Sequence, residues 1–251
     1  MSPISKAGRS ALAAGLLAAA LLRADAVSAV VGGRTEAGPR SGSAVMIVTG
    51  RGMCSAVVVA ADAVLTAAHC VAGPREFRVH HPGPSGEPVL IAPAAVATHP
   101  EYRRDAVAAR ARSIDLALVR LPGALPGRYV PQPLAAASPG AGTPVGVGGY
   151  GVAREGDSRS TGTFRLADLA AVEPHGPSRI LLWAAGSGAG ACEGDSGGPL
   201  FGPGGVVAVT SWAAGNGKAG CGSMTQGILL GAQRAWIDRT LSGWGRAAEW
   251  R

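Results

Sequence analysis

The chain has 251 residues and a formal net charge of +7, and 47% of its residues are hydrophobic against 16% charged. This balance excludes intrinsic disorder for most of the chain, and 39 glycines with 18 prolines exclude a helix-rich bundle. Because the basic residues are scattered and aromatic residues make up only 4%, we expect no nucleic-acid partner.

The first 29 residues have the pattern of a secretory signal peptide. Two basic residues precede an apolar run at 11–22, which is too short to span a bilayer. Small-x-small cleavage motifs end at Ala26 and again at Ala29. We therefore expect a secreted protein without membrane attachment, whose mature chain begins after one of these two alanines.

Short apolar runs separated by glycine and proline make up most of the remaining chain. They predict strands at 44–48, 56–61, 63–66, 116–121, 145–148, 180–184 and 206–212. Proline- and glycine-containing segments predict long loops at 82–88, 122–144 and 154–161, of which 122–144 is the candidate linker between two halves. One segment, 232–241, has a helical pattern. The chain is therefore predicted to be all-β, in two halves, with a short C-terminal helix.

Four cysteines stand at positions 54, 70, 192 and 221. Export would place them in an oxidising environment that favours disulfides. None of them forms a C-x-x-C pair, so we predict neither a metal site nor a cofactor. The spacing alone leaves three pairings open.

Ser196 lies between glycines in the string GDSGGP at 194–199. Such neighbours would let a substrate carbonyl approach the hydroxyl and the backbone N–H groups closely. The string also satisfies the G-x-S-x-G motif of α/β-hydrolases, whose catalytic histidine follows the serine. All five histidines precede Ser196, and only Asp62 could precede the histidine in a subtilisin order. The order histidine, aspartate, serine remains.

His69 and Asp115 are the candidates for the other two members of a catalytic triad. His69 lies at the end of a predicted strand, whereas the histidines at 80, 81 and 99 lie in segments typical of solvated loops. Asp115 opens the apolar strand DLALVRL, where a carboxylate requires a polar partner such as an imidazole N–H.

Several strings, in the same order along the chain, resemble the trypsin/chymotrypsin family of serine endopeptidases. They are VVGG at 30–33, LTAAHC at 65–70, DLALVRL at 115–121, GGYG at 148–151 (tyrosine replacing the family's tryptophan), GDSGGP at 194–199 and SW at 211–212. The resemblance implies a peptidase domain at 30–251 with two six-stranded antiparallel β-barrels, at about 30–130 and 131–231, and a terminal helix at about 232–241.

The resemblance also implies a secreted, monomeric serine endopeptidase that acts on proteins or peptides through an acyl-enzyme. Ser196 would attack the peptide carbonyl, His69 would transfer its proton, and Asp115 would hold the imidazole tautomer. The backbone N–H groups of Gly194 and Ser196 would form the oxyanion hole. Ser211 would support Asp115.

Two disulfides, Cys54–Cys70 and Cys192–Cys221, are implied in the same way. They would hold the turn that carries His69 and the walls of the specificity pocket.

The alternative to an active peptidase is a catalytically silent secreted homologue that acts as a binding protein. Such chains usually lose a triad residue, and this chain keeps all three.

In this family a freed N-terminal amine pairs with the aspartate before the catalytic serine. The corresponding groups here are Val30 and Asp195. Family zymogens usually carry lysine or arginine before the cleavage point, but this chain has Ala29. Signal removal after Ala29 would therefore yield active enzyme directly, whereas cleavage after Ala26 would leave a short propeptide.

The floor of the specificity pocket corresponds to Gly190, so a trypsin-like preference for lysine or arginine would lack its counter-charge. Ala191 adds no polarity, and Trp212 and Ala213 would line the wall beside Ser211. We therefore expect an apolar pocket that favours aromatic or medium aliphatic side chains.

Two details of this pocket stay open. The remaining wall residue is either Thr225 or Gly227. Glu193 is either a rim residue that disfavours acidic substrates or a solvated loop carboxylate.

Overall fold

A computed structural model of the chain describes residues 30–50, 52–73, 76–109, 111–173 and 178–251, so the expected signal peptide lies outside the described residues. The strands are β1 (Arg34–Thr35), β2 (Ala44–Thr49), β3 (Gly52–Ala60), β4 (Ala63–Thr66), β5 (Phe77–Pro82), β6 (Pro88–Ile91), β7 (Ala95–Thr98), β8 (Ala117–Arg120), β9 (Pro144–Gly149), β10 (Arg165–Val172), β11 (Leu181–Ala185), β12 (Pro199–Gly202), β13 (Gly205–Ala214) and β14 (Met224–Leu229).

The helices are short. They are α1 (Ala68–Val71), α2 (Ala106–Ala109) and α3 (Arg234–Gly243), with 3-10 turns at Pro39–Ser43, Ser158–Ser160 and Gly231–Gln233. Within the described residues, no helix combines the length and the apolar character needed to cross a membrane.

The strands form two antiparallel sheets, which confirms the predicted all-β fold of two barrel-like halves. The first sheet has the order β6-β5-β2-β3-β4-β8-β7, and the second has the order β1-β10-β11-β14-β13-β12-β9. In the second sheet β9 also pairs with β10, which closes six strands into a ring.

The strand count differs from the expected six in each barrel. The first sheet has seven strands, and β1 is added to the second sheet outside its ring. Arg34 and Thr35 pair with Leu166 and Arg165, because β11 covers only the far end of β10 and leaves this edge free. The start of the described chain, which we assigned to the first barrel, therefore joins the second sheet.

The predicted strands are all present, with small shifts at their ends, and the predicted helix is α3 after a 3-10 turn. The predicted loop at 82–88 connects β5 to β6, and residues 83–87 lie outside both strands. Its end residues Pro82 and Pro88 are paired, and the N–H of Gly83 donates to the carbonyl of Glu87 at 2.7 Å. The segment is therefore a short hairpin connection, in which glycine and proline mark the turn.

A continuous apolar cluster joins the two sheets. Val57 and Leu65 of the first sheet belong to it together with Leu166 and Phe201 of the second, and each is buried. Burying one such side chain is worth about 1.5–3 kcal/mol. The two sheets therefore share one buried apolar core at their boundary, and the candidate site lies along it.

Candidate active site

His69 lies in α1, the short turn that follows β4, and its side chain is 40% exposed. Its Nδ1 atom is 2.7 Å from Oδ2 of Asp115, and its backbone N–H donates to Oδ1 of the same carboxylate at 2.9 Å. The two contacts fix both the ring and the backbone of His69 against one acidic group. Nε2 is thereby directed away from the carboxylate.

Asp115 lies between Ile114 and Leu116, which are both fully buried, at the entrance to β8. The hydroxyl of Ser211, on β13, donates to its Oδ2 at 2.6 Å. Burial by itself would raise the pKa of Asp115, but the hydrogen bonds from His69 and Ser211 outweigh it and bring this pKa below 3.8. The carboxylate is therefore ionised at neutral pH.

Ser196 lies in the segment before β12, on the second sheet's side of the boundary. Its carbonyl accepts the N–H of Ser55 at 2.8 Å and lies 3.9 Å from Sγ of Cys70, next to His69 in the chain. The described residues include no hydrogen bond to the Ser196 hydroxyl, from His69 or from any other group. Such bonds are often long in unliganded hydrolases and shorten when substrate binds.

The peptide group between Glu193 and Gly194 has a defined orientation. The carbonyl of Glu193 accepts the N–H of Val152 at 2.8 Å. In a trans peptide the N–H points opposite to the carbonyl, so the N–H of Gly194 points away from Val152. Neither this N–H nor that of Ser196 has an acceptor among the described residues.

The glycines around Ser196 serve backbone packing. A side chain at Gly197 would overlap the carbonyl of Ser55, and one at Gly194 would overlap Gly151. Gly194 also has φ +93°, a conformation that favours glycine. These glycines therefore have a packing role, beside the access for substrate that the sequence leads us to expect.

The structure joins Cys54 to Cys70 and Cys192 to Cys221, the pairing that the resemblance implied. The first bond links α1 to β3. Cys54, Cys70 and His69 come close enough together to suggest a metal site. Because both sulfurs are joined in a disulfide, they offer no thiolate ligands.

Asp195 is fully buried next to Ser196. Its carboxylate accepts the backbone N–H groups of Gly151 and Cys192, each at 2.9 Å. Burial raises its pKa to about 7, although these hydrogen bonds and the positive charge of Arg165 oppose the rise. Within the described residues, no lysine, arginine or amino group is hydrogen-bonded to this carboxylate.

Val30 is also buried, and its φ of 51° is the single positive value among the described non-glycine residues. A β-branched residue is strained in this conformation by about 1–3 kcal/mol. The next residue, Val31, accepts the N–H of Gly190 at 3.0 Å, so the segment lies against the candidate pocket. Val30 and Asp195 form no hydrogen bond within the described residues.

The candidate pocket residues come together at one end of β13 and β14. Ala213 pairs with Thr225, and the Thr225 hydroxyl accepts the N–H of Ala191 at 2.9 Å. A side chain at Gly190 would lie 3.2 Å from this hydroxyl. The sequence left open whether Thr225 or Gly227 lies at the pocket wall. Thr225 is the one that lies beside Gly190, the candidate floor.

Gly227 and Glu193 lie outside this group. A side chain at Gly227 would meet Leu200 inside the second sheet, so this glycine lies away from the pocket. Glu193 is exposed.

Trp212, next to Ala213, is 41% exposed, and its ring lies edge-on to that of Trp183 with centroids 6.1 Å apart.

Two other histidines are buried, which corrects the expectation of solvated loops. His81 is 5% exposed, in β5, and contacts the ring of Tyr129. His99 is 6% exposed, and its ring packs on Trp236. Burial lowers the pKa of His99, so it is neutral at pH 7. Ring packing, which their local sequence does not reveal, accounts for both.

A family model described as Trypsin matches residues 30–235. Among solved structures, the chain is similar to neuropsin, described as a serine protease expressed in the limbic system of mouse brain. The TM-score is 0.71 and the identity 25%, over 84% of this chain and 99% of that one. It is also similar to human heparin binding protein, with TM-score 0.71 and 23% identity over 85% and 97% of the two chains, a likeness of fold alone. A comparison with curated protein sequences finds no significant match. Because the matching family model spans most of its length, the chain belongs to the trypsin family.

Proposed function

We propose that the protein is a secreted serine endopeptidase that uses Ser196, His69 and Asp115 as its catalytic triad. The observation that carries the proposal is the Asp115 carboxylate, which holds Nδ1 of His69 at 2.7 Å and receives the Ser211 hydroxyl at 2.6 Å. A neutral imidazole held in this way has its proton on Nδ1, which leaves Nε2 free to act as a base.

In the proposed reaction, the Ser196 hydroxyl attacks the peptide carbonyl while Nε2 of His69 accepts its proton. The oxyanion is received by the N–H groups of Gly194 and Ser196, which have no other acceptor among the described residues. His69 then gives the proton to the leaving amine, and an acyl-enzyme remains on Ser196. Water, deprotonated by His69, hydrolyses this ester and restores the free serine.

The proposed pocket takes an uncharged, apolar side chain before the scissile bond. Gly190 supplies no counter-charge, and Ala191 and Ala213 are apolar. Directly paired residues on neighbouring strands carry their side chains on the same face, about 4.5–5.5 Å apart. Thr225, which pairs with Ala213, therefore narrows the pocket and favours medium aliphatic side chains over aromatic ones.

Activation, in our proposal, places the free amine of Val30 beside Asp195. Val30 is already buried, close to residues that flank the pocket, and its positive φ is strained. Cleavage before Val30 abolishes this φ dihedral and creates a cation for a buried carboxylate. The family fold, two disulfides and the signal pattern together support secretion of the protein.

The test is hydrolysis of a peptide library by the purified protein and by a Ser196→Ala variant. The proposal predicts cleavage after apolar residues and a loss of kcat of about 10⁶-fold in the variant. The silent-homologue alternative, to which the fold of heparin binding protein draws attention, predicts no cleavage by either protein. Equal cleavage by both would show that a contaminant acts and would contradict the proposal.

A further inference from the structure

A cavity of about 1140 Å³ extends from the candidate triad along the exposed edge of Trp212. Its lining includes His69 and Asp115 together with Trp212 and Gln226. The cavity is therefore a continuation of the cleft in which a substrate would lie.

The charges in this lining are predominantly positive. Four arginines line it, Arg103, Arg104, Arg112 and Arg179, against one glutamate, Glu101, and the Asp115 carboxylate that is bonded to His69. The described lining thus carries an excess of positive charge. Apart from Asp115, Glu101 is the one acidic group in this lining that could neutralise an arginine.

Hydrogen bonds between the residues that precede α2 and those that precede Asp115 hold Arg103 and Arg112 beside the triad. The N–H of Arg103 donates to the hydroxyl of Ser113 at 2.8 Å, and the N–H of Ile114 donates to the carbonyl of Glu101 at 3.2 Å. Because Ile114 immediately precedes Asp115, the loop that carries Arg103 and Arg112 is anchored next to the catalytic carboxylate.

These guanidinium groups are available to a ligand. Arg112 is 3.5 Å from Glu101, but both side chains are more than half exposed, at 64% and 57%. Ion pairs of this kind are weak. Arg103 and Arg179 have no acidic partner within the described residues, and Arg104 donates to the carbonyl of Ala72 and keeps its charge.

The position of Trp212 identifies which part of a substrate would meet these arginines. Trp212 is followed on β13 by Ala213, which lines the proposed pocket for the side chain before the scissile bond. Residues preceding that side chain would pass along Trp212 toward Arg112 and Arg179.

On this basis, and resting on the proposed function, we infer that the enzyme selects substrates with acidic side chains two to four residues before the scissile bond. The arginines attract the carboxylates, while the apolar pocket receives the residue at the scissile bond. Glu193 does not line this cavity, so its charge does not oppose the selection.

The experiment compares labelled peptides that carry glutamate, glutamine or lysine at each of these three positions, with a mixture of residues before the scissile bond. Binding to the Ser196→Ala variant is measured by fluorescence anisotropy, and kcat/KM is measured with the unmodified protein. We expect glutamate to exceed lysine by about 3- to 30-fold at low salt, as the sum of two or three exposed ion pairs, and the preference to shrink in 1 M salt.

The variant Arg112→Gln/Arg179→Gln removes two of the four arginine charges from the cavity and is expected to lower the glutamate-to-lysine ratio several-fold, with the remainder due to Arg103 and Arg104. Arg34→Gln is the matched control, because Arg34 is an exposed arginine paired with Asp168 and does not line the cavity. An equal response to glutamate and lysine in the unmodified protein, or an unchanged ratio in the double variant, would overturn the inference.

Two further outcomes separate the inference from the proposed function. Selective binding of acidic peptides by the Ser196→Ala variant, with no hydrolysis by the unmodified protein, supports the inference and contradicts the proposed activity. Binding of a sulfated polysaccharide that depends on Arg112 and Arg179, without peptide discrimination, overturns the inference and assigns the arginines to a different ligand.

Discussion

At the scale of single residues, the site depends on one buried carboxylate. Asp115 is ionised because donors from His69 and Ser211 surround it in an otherwise apolar environment. Removing the charge of Asp115 would leave the donors of His69 and Ser211 without the anion to which they bind. A substitution at this position should therefore have a large effect on activity.

Asp115→Asn keeps the shape of the side chain and removes its charge. An amide that presents its NH₂ to Nδ1 stabilises the wrong imidazole tautomer, with the proton on Nε2 facing Ser196. We expect kcat to fall by about 10⁴-fold. Steady-state kinetics on the best library peptide measure the loss.

The matched control is Asp62→Asn. Asp62 is a similarly buried carboxylate, bound by Arg246 through both oxygens at 2.6 and 2.8 Å, away from the site. Its replacement should lower stability while kcat changes little. If Asp115→Asn retained full kcat, the proposed role of the carboxylate would be wrong.

At the scale of elements, the sequence predicts best the strands that are buried as continuous apolar runs. β4 and β8 are examples, because their residues are almost all buried and their pattern is independent of context. β5 and β14 were not predicted, since β5 contains two histidines and a proline, and β14 contains Gln226 and Gly227. Their partners impose the extended conformation, and the sequence does not contain that information locally.

The same limit applies to the site. The triad candidates follow from short motifs, and the disulfide pairing follows from the family resemblance. Thr225 does not, because its place beside Gly190 results from the register between β13 and β14. The cavity arginines were also missed, since Arg103, Arg104 and Arg112 look like scattered surface charges until the fold places them in one lining with Arg179.

The segment 30–33 yields a prediction on pH. With Val30 still joined to Ala29, burial raises the pKa of Asp195 to about 7, above its usual 3.8. A raised carboxyl pKa contributes stability below the unfolded value, and this contribution is lost as the pH rises through the folded value. A form that begins at Val27 should therefore lose stability between pH 4 and about 7, whereas in a form that begins at Val30 the amine offsets the loss.

Urea unfolding from pH 4 to 8 distinguishes the two forms. Asp195→Asn in the longer form is the control, and it should remove this part of the pH dependence. Identical stability curves for the two forms would contradict the pairing of Val30 with Asp195.

At the scale of the whole molecule, the candidate site requires both sheets in one fixed arrangement. The first sheet supplies His69 and Asp115, and the second supplies Ser196 and Ser211. Tyr150 reaches across the boundary, and its buried hydroxyl donates to the carbonyl of Ala44 at 3.0 Å. Burial raises the pKa of Tyr150, so this donor keeps its proton.

Tyr150→Phe removes that donor and leaves the Ala44 carbonyl buried without it. We expect a loss of about 1–3 kcal/mol in the free energy of unfolding, measured by urea denaturation, together with a lower kcat. Tyr129→Phe is the control, because the Tyr129 hydroxyl contacts Arg128 within the first half of the chain. Equal losses of kcat in the two variants would contradict a special role for the contact between the sheets.

The central claim, a self-sufficient serine peptidase, is tested most directly by the intact mass of the secreted protein with and without a fluorophosphonate probe. We expect a chain that begins at Val30 and carries one covalent adduct, which is absent from Ser196→Ala. A chain that begins at Val30 and takes up no adduct would contradict it.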